Sequence, residues 1–214
     1  FSICLIHQLS MQNSKVEVTK FPRNTSIRVR DILLDLSTPK IMGIVNVTTD
    51  SFYTESRTSQ ENLVSTVEKM MNEGMEIVDI GGYSSRPGAL NISIDEEINR
   101  VIPAITAIRS AFPELIISLD TFRSEVAEKG ILAGADIIND ISGFSIDPKI
   151  VDVAAKYKVP YILMHMRGTP ETMQTLTDYA SIFNEMVLYF SKNIEILKNA
   201  GVNDIILDPG FGFS

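Results

Sequence analysis

Ile77-Val78-Asp79-Ile80-Gly81-Gly82-Tyr83-Ser84-Ser85-Arg86-Pro87-Gly88 joins a short apolar run to a polar loop. The run does not alternate, which suits a strand covered on both faces. Gly81 and Gly82 let the backbone turn without a Cβ penalty. Ser84, Ser85 and Arg86 then offer hydrogen-bond donors and a fixed cation that can meet an anion in two-pronged fashion. A strand that ends in such equipment points at a ligand.

Outward from this stretch the same plan repeats. Buried-type strands are expected at 41–47, 77–80, 115–119, 136–138, 160–164 and 205–207. Between them the 3.6-residue period marks helices at 59–73, with Ser59 as N-cap, and at 95–111, 124–133, 148–157 and 178–200. Gly74, Gly134 and Gly201 follow three of these helices as stops. The acidic start of the helix at 95 suits the positive end of a helix dipole. Residues 26–30 and 31–37 read as a small hairpin that caps one end of the larger unit.

Strands separated by helices imply parallel pairing with right-handed crossovers. Two architectures satisfy that pattern, an open doubly wound sheet and a (β/α)₈ barrel. No Gly-x-Gly-x-x-Gly follows the first strand, which weakens the dinucleotide-binding version of the open sheet. Polar residues at nearly every strand end favour the barrel, whose sites lie on that one rim. The expected fold is therefore α/β, a TIM-type barrel with about six of its eight βα strands. It would run over 40–214 as a C-terminally incomplete unit, behind an N-terminal extension and hairpin at 1–39. An unclosed barrel would leave two strand edges without partners.

The 214 residues, 44% hydrophobic and 21% charged, have the make-up of one ordinary globular domain. A net charge of −8 argues against nucleic acid as the main partner. The single cysteine, Cys4, excludes an internal disulfide framework and a cysteine-cluster metal site, and fits a reducing, cytoplasmic setting. No apolar run reaches the roughly 18 residues of a membrane helix. Residues 1–9 lack the basic leader and cleavage site of a signal peptide, and Met11 is a better candidate start than Phe1.

The expected rim residues are Asn46, Ser84-Ser85-Arg86, Asp120, Asn139, His165 and Asp208. Asp120, Asn139 and Asp208 combine acceptors with an amide that both donates and accepts, which suits a heterocycle with several N–H groups. Arg86 with the two hydroxyls suits an anion or a loop that closes over one. Asn46 offers a hard oxygen to Mg²⁺. Each residue also has a plain structural role open to it. Asp120 and Asp208 serve equally as caps or turn residues, Asn139-Asp140 as a turn, and Met164 and Met166 as filler.

Six segments, taken in order, carry a resemblance to the dihydropteroate synthase family. They are Asn46-Val47-Thr48-Thr49-Asp50-Ser51-Phe52, the stretch Gly81 to Gly88, Ser118-Leu119-Asp120-Thr121, Asn139-Asp140-Ile141-Ser142-Gly143, Met164-His165-Met166-Arg167-Gly168-Thr169-Pro170 and Asp208-Pro209-Gly210-Phe211-Gly212-Phe213. The resemblance implies a folate-pathway transferase on a (β/α)₈ barrel. Such an enzyme joins (7,8-dihydropterin-6-yl)methyl diphosphate to 4-aminobenzoate and releases diphosphate. By the same resemblance Asp120, Asn139 and Asp208 bind the pterin edge and Met164 packs beside it. Asn46 is the protein ligand to Mg²⁺ on the diphosphate. Asp50, Ser85 and Arg86 are catalytic loop residues, with Phe52 and Ser85 closing over the 4-aminobenzoate and Phe213 helping to form its pocket. The implied partners are these small molecules, with sulfonamides as competitors, and the family admits a homodimer.

The resemblance has gaps. The family usually has Pro at Thr49, an acidic residue near Thr54, Glu at Tyr83 and Thr at Ser85. Its seventh-strand lysine and eighth-strand Arg-x-His have no counterpart in these residues, so the 214-residue chain is expected to be inactive alone. The competing function is a pterin-binding methyltransferase module that handles methyltetrahydrofolate on the same barrel.

Overall fold

The computed structural model describes residues 3–6, 25–47, 57–83, 92–169, 172 and 175–211, with backbone only at 3–6 and 57–59. The continuous apolar runs form strands β4 (Lys40–Asn46), β5 (Ile77–Gly81), β6 (Ile116–Asp120), β7 (Ile137–Asp140), β8 (Tyr161–Met164) and β9 (Ile205–Asp208). All pair in parallel and in chain order, β4-β5-β6-β7-β8-β9. A doubly wound sheet would reverse its order at a switch point. This wall never reverses, and it curls into a half-barrel.

Strand alternation sorts the side chains into two cores. Val78, Ile80, Ile117 and Leu119 face outward and pack against helices α1 (Arg57–Asn72), α2 (Ile94–Ala111) and α3 (Ser124–Ala133). Ile138, Tyr161 and Leu163 likewise pack against α4 (Ile150–Tyr157) and α5 (Ile182–Ala200). Met42, Ile77, Ile116, Ile137, Ile162 and Ile206 face inward, one from each strand, as a single apolar layer.

That layer is closed from below by the hairpin β2 (Ser26–Val29) and β3 (Ile32–Asp35), whose Ile27 and Val29 join it. The hairpin turn is riveted by charge. Arg30, in the left-handed region at φ 53°, donates to the Pro113 and Glu114 carbonyls and lies 3.3 Å from the Asp136 carboxylate. The buried Asp136 also accepts from the Ile117 amide at 2.9 Å and from Arg109, which itself reaches the carbonyls of Pro113, Leu115 and Gly134. One carboxylate thus joins the hairpin, α2 and two strands.

Several boundaries differ from the sequence expectation. Ser59 lies inside α1 rather than at its cap, because the helix starts at Arg57. Helix α4 starts at Ile150 instead of 148, with Asp147 accepting from the Ser124 and Lys149 amides ahead of it. Helix α5 starts at Ile182 after an extended Ser181. A further strand, β1 (Ile3–Ile6), pairs antiparallel with β4, so the edge expected at β4 is covered and the described sheet ends at β1 and at β9. At the β9 edge Leu207 is 44% exposed, and Phe183 and Leu188 of α5 are exposed as well.

Replacing Asp136 with alanine strands the Arg109 guanidinium, and removal of one partner from a buried pair is costly. Asp136→Ala should lose about 3 kcal/mol, and Arg30→Ala, partly solvated, about 1 kcal/mol. Denaturant midpoints at constant slope check both. Equal small losses would mean that the hairpin is held by its apolar residues alone.

Candidate active site

The inward positions above the isoleucine layer change chemistry. Two residues on from Ile77 is Asp79, from Ile116 is Ser118, from Ile137 is Asn139, and from Ile206 is Asp208. One step higher come Asn46, Gly81 and Asp120 at the strand ends. The half-barrel is therefore apolar below and lined with oxygen above.

Asn139 donates from Nδ2 to Asp79 Oδ2 at 3.1 Å, deep in the wall. Asp79 Oδ1 and Asn139 Oδ1 are buried and have no hydrogen-bond partner among the described residues. Ser118, cross-strand neighbour of Asp79, is close enough to pull its pKa down, though their oxygens miss hydrogen-bond geometry. Burial outweighs this and raises Asp79 above its ordinary value, helped by the Asp208 charge. Asp120 is raised further, by burial and then by the charges of Asp79, Glu97 and Asp140. The anionic forms of Asp79 and Asp120 are thus disfavoured by burial and by neighbouring charge.

Asp208 is oriented by its own loop, where Oδ1 accepts from the Gly210 amide at 2.9 Å. Gly210 has φ 65°, and an added Cβ would stand 2.4 Å from the His165 carbonyl, so only glycine fits. Gly81 plays a different part. A Cβ there would lie 3.2 Å from Asp120 Oδ2 and 3.3 Å from Asn46 Oδ1, so its absence keeps the gap between those two oxygens open. Neither side chain has a hydrogen-bond partner among the described residues. Asn46 is a lone hard oxygen at the rim, and no group of three or more His, Cys, Asp or Glu that could hold a metal occurs among the described residues.

One wall of the bowl is apolar. Phe122, Ile141, Met164 and Met166 form a buried cluster with Tyr83 against it. Of the expected site residues, Asn46, Asp120, Asn139, Asp208 and Met164 thus come from five strands to the same end of the half-barrel. Asp50, Phe52, Ser85, Arg86 and Phe213 lie outside the described residues. Asn139 faces inward, while Asp140 accepts from the Ser142 and Phe144 amides and from the Tyr161 hydroxyl to build the turn.

His165 is packed rather than poised. It meets Tyr189 edge-on with ring centroids 4.9 Å apart, and burial lowers its pKa. Burial and the Asp140 charge push the Tyr189 hydroxyl up to about 12, and that hydroxyl donates to the Met164 carbonyl.

The sequence reading missed two features. Asp79 sits within an apolar run, and a carboxylate at an inward position of such a run was itself the available signal. Glu97 was read with its neighbours as a dipole partner, yet it is fully buried and accepts from Thr121 Oγ1 at 2.6 Å and Arg123 at 2.8 Å. Arg123 continues to the Ile92 carbonyl and lies over the rings of Tyr83 and Phe122. Arg100 reaches the Gly82 carbonyl. Only folding brings these groups from α2, β5 and β6 together.

A parallel half-barrel with acceptors gathered at its C-terminal strand ends belongs to a class that binds small ligands on that rim. The profile of the pterin binding enzyme family matches residues 42–214, and the chain belongs to that family. Within it, the chain is 46% identical over 177 residues to the dihydropteroate synthase of Synechocystis sp., covering 81% of this chain and 61% of that one. It is 44% identical over 185 residues to that of Escherichia coli, covering 84% and 64%. The dihydropteroate synthase of Yersinia pestis in a sulfonamide drug complex superposes with a TM-score of 0.80 at 38% identity, over 88% of this chain and 69% of that one. That of Xanthomonas albilineans in complex with 7,8-dihydropteroate superposes with a TM-score of 0.70 at 34% identity, over 85% and 64%. The chain spans somewhat over three fifths of these two curated relatives.

The buried carboxylates give stability a definite pH slope. A carboxyl whose folded pKa is raised binds protons more readily in the folded state, so its contribution falls as pH rises through that value. His165, with a lowered pKa, acts the opposite way below its ordinary value of 6.5. The difference between Asp79→Asn and the parent isolates the carboxyl. The variant should gain relative stability as pH rises from the ordinary carboxyl value of 3.8 through the raised one, read from urea midpoints at each pH. A pH-independent difference would mean that Asp79 titrates as an ordinary carboxyl.

Proposed function

We propose that this chain is the pterin-binding part of a dihydropteroate synthase. The complete enzyme would condense (7,8-dihydropterin-6-yl)methyl diphosphate with 4-aminobenzoate and release diphosphate. The observation that carries the reading is the gathering of Asp120, Asn139 and Asp208 at the strand ends above an apolar layer and beside the Met164 cluster, with Asn139 Oδ1 buried and without a hydrogen-bond partner among the described residues. A pterin edge supplies N–H donors to such acceptors and a flat apolar face to Met164 and Ile141. Bound N–H groups would also offset the repulsion among the carboxylates that is now expressed as raised pKa values.

In the reaction the diphosphate leaves and the pterin methylene carries positive charge until the aromatic amine captures it. A neutral arylamine needs little general base, so catalysis rests on positioning and charge stabilisation. The carboxylates of Asp120 and Asp208 would stabilise the cation from the bowl. Arg86, Ser85 and Asp50 would serve the departing anion and the closing loops, with Phe52 and Phe213 enclosing the 4-aminobenzoate. Asn46 would give one oxygen to Mg²⁺, which prefers such hard ligands and otherwise keeps waters and substrate phosphates, and the ion would offset leaving-group charge.

The complexes of the relatives with 4-aminobenzoate and with 7,8-dihydropteroate support the synthase over the methyltransferase. They also support sulfonamides as competitors at the 4-aminobenzoate position. A cytoplasmic setting agrees with this pathway, and no helix among the described residues is long and apolar enough to cross a membrane. A homodimer would follow the family pattern.

Calorimetric titration with 6-hydroxymethylpterin should show binding that tightens when diphosphate and Mg²⁺ are both present, and that is lost, about tenfold or more, in Asp208→Ala. No diphosphate release dependent on 4-aminobenzoate is expected from the 214-residue chain, which spans somewhat over three fifths of these curated relatives. Pterin affinity indifferent to Asp208→Ala would refute the assignment. Turnover by this chain would refute the division of labour.

A further inference from the structure

Asp79 is not accounted for by ligand contact. It lies below the rim residues, is 3% exposed, and spends one carboxylate oxygen on a neighbour in the wall. Burial of a carboxylate in such a place costs free energy unless it is paired and hydrogen-bonded. No cation pairs with it among the described residues, and its sole hydrogen bond there is the one from Asn139. In the apolar layer immediately below, the same inward face of the wall carries aliphatic side chains.

The direction of that bond is informative. A carboxylate oxygen only accepts, so the group it meets on Asn139 must be the amide nitrogen. An unconstrained asparagine can rotate its amide by half a turn and exchange donor for acceptor. With Nδ2 held by Asp79, Oδ1 is left on the opposite side, buried and without a partner among the described residues. Asn139 stands on β7 between Asp120 of β6 and the β8 wall, one of the group proposed above to meet the ligand's edge.

We propose that Asp79 is a positioning residue that sets ligand specificity: it holds the Asn139 amide so that its oxygen accepts from the exocyclic amino group of the bicyclic ligand. The proposal rests on the pterin reading. A 2-amino heterocycle brings an N–H to that oxygen. The matching 2-oxo heterocycle brings a second acceptor, and two acceptors in a site without water are mutually unfavourable. The amide cannot turn to accommodate it while Asp79 holds the nitrogen. Asparagine at position 79 would accept or donate equally, which frees Asn139 to turn.

The test compares 6-hydroxymethylpterin with its 2-oxo counterpart, 6-hydroxymethyllumazine, by calorimetric titration of the protein, Asp79→Asn and Asn139→Ala. The parent should prefer the pterin by tenfold or more, and Asp79→Asn should shrink that preference by about tenfold while unfolding cooperatively. Asn139→Ala should shrink it as well. A merely structural Asp79 would alter both affinities together and leave their ratio alone. An unchanged ratio in Asp79→Asn or in Asn139→Ala overturns the proposal. A parent that binds neither compound overturns the pterin reading and this inference with it.

Should Asp79→Asn fail to fold, the parent answers directly by nuclear magnetic resonance. The Asn139 side-chain amide is assigned by its disappearance in Asn139→Ala. One of its two hydrogens should be shifted downfield and exchange slowly. Two fast-exchanging hydrogens would overturn the proposal.

Discussion

Inward-facing side chains of the parallel wall change from Ile77, Ile116, Ile137 and Ile206 to Asp79, Ser118, Asn139 and Asp208 within two residues of strand. The lower layer, plugged by Ile27 and Val29, keeps water away from the carboxylates above it. A charge above such a floor has solvent on one side only, so its interactions with neighbours and with any ligand are strengthened. The raised pKa values of Asp79 and Asp120 and the unpaired oxygens of Asp79 and Asn139 share this cause. The site is a set of acceptors held at an unfavourable density, which a donor-rich ligand would relieve.

Rigidity is supplied by charges set outside that bowl. Asp136 with Arg109 and Arg30 locks the hairpin beneath the floor, and Glu97 with Arg123 and Thr121 locks the end of β6 to α2. Both are cases of a buried carboxylate satisfied by guanidinium and hydrogen bonds together, in contrast to Asp79. Glu97 also bears on the site through its charge, which helps raise Asp120. The residues that hold the fold and those that set the electrostatics of the bowl are partly the same.

The architecture was largely legible because a strand covered on both faces must be apolar throughout, and a helix laid over it must carry a 3.6-residue stripe. Runs such as Ile116–Asp120 and the helix Ser124–Ala133 have few other readings. Boundaries were less legible where capping depends on distant groups. Ser59 resembles an N-cap, yet α1 begins before it, and α4 begins where Asp147 has satisfied the amides of Ser124 and Lys149. Strand β1 escaped notice because its partner, β4, lies some forty residues away and local pattern says nothing of it.

Polar residues at strand ends announced Asn46, Asp120, Asn139 and Asp208, since parallel strands in sequential order deliver their ends to one side. That much followed from residue type and period. Tertiary structure alone decided that Asp79 and Glu97 are buried, that the Asn139 amide is turned toward Asp79, that His165 is packed among aromatic rings, and that Gly81 keeps the gap between Asn46 and Asp120. The reason is physical. Periodicity reports which face of an element meets solvent, whereas the partner of a buried polar atom comes from a residue tens of positions away and exists only once the wall has curled.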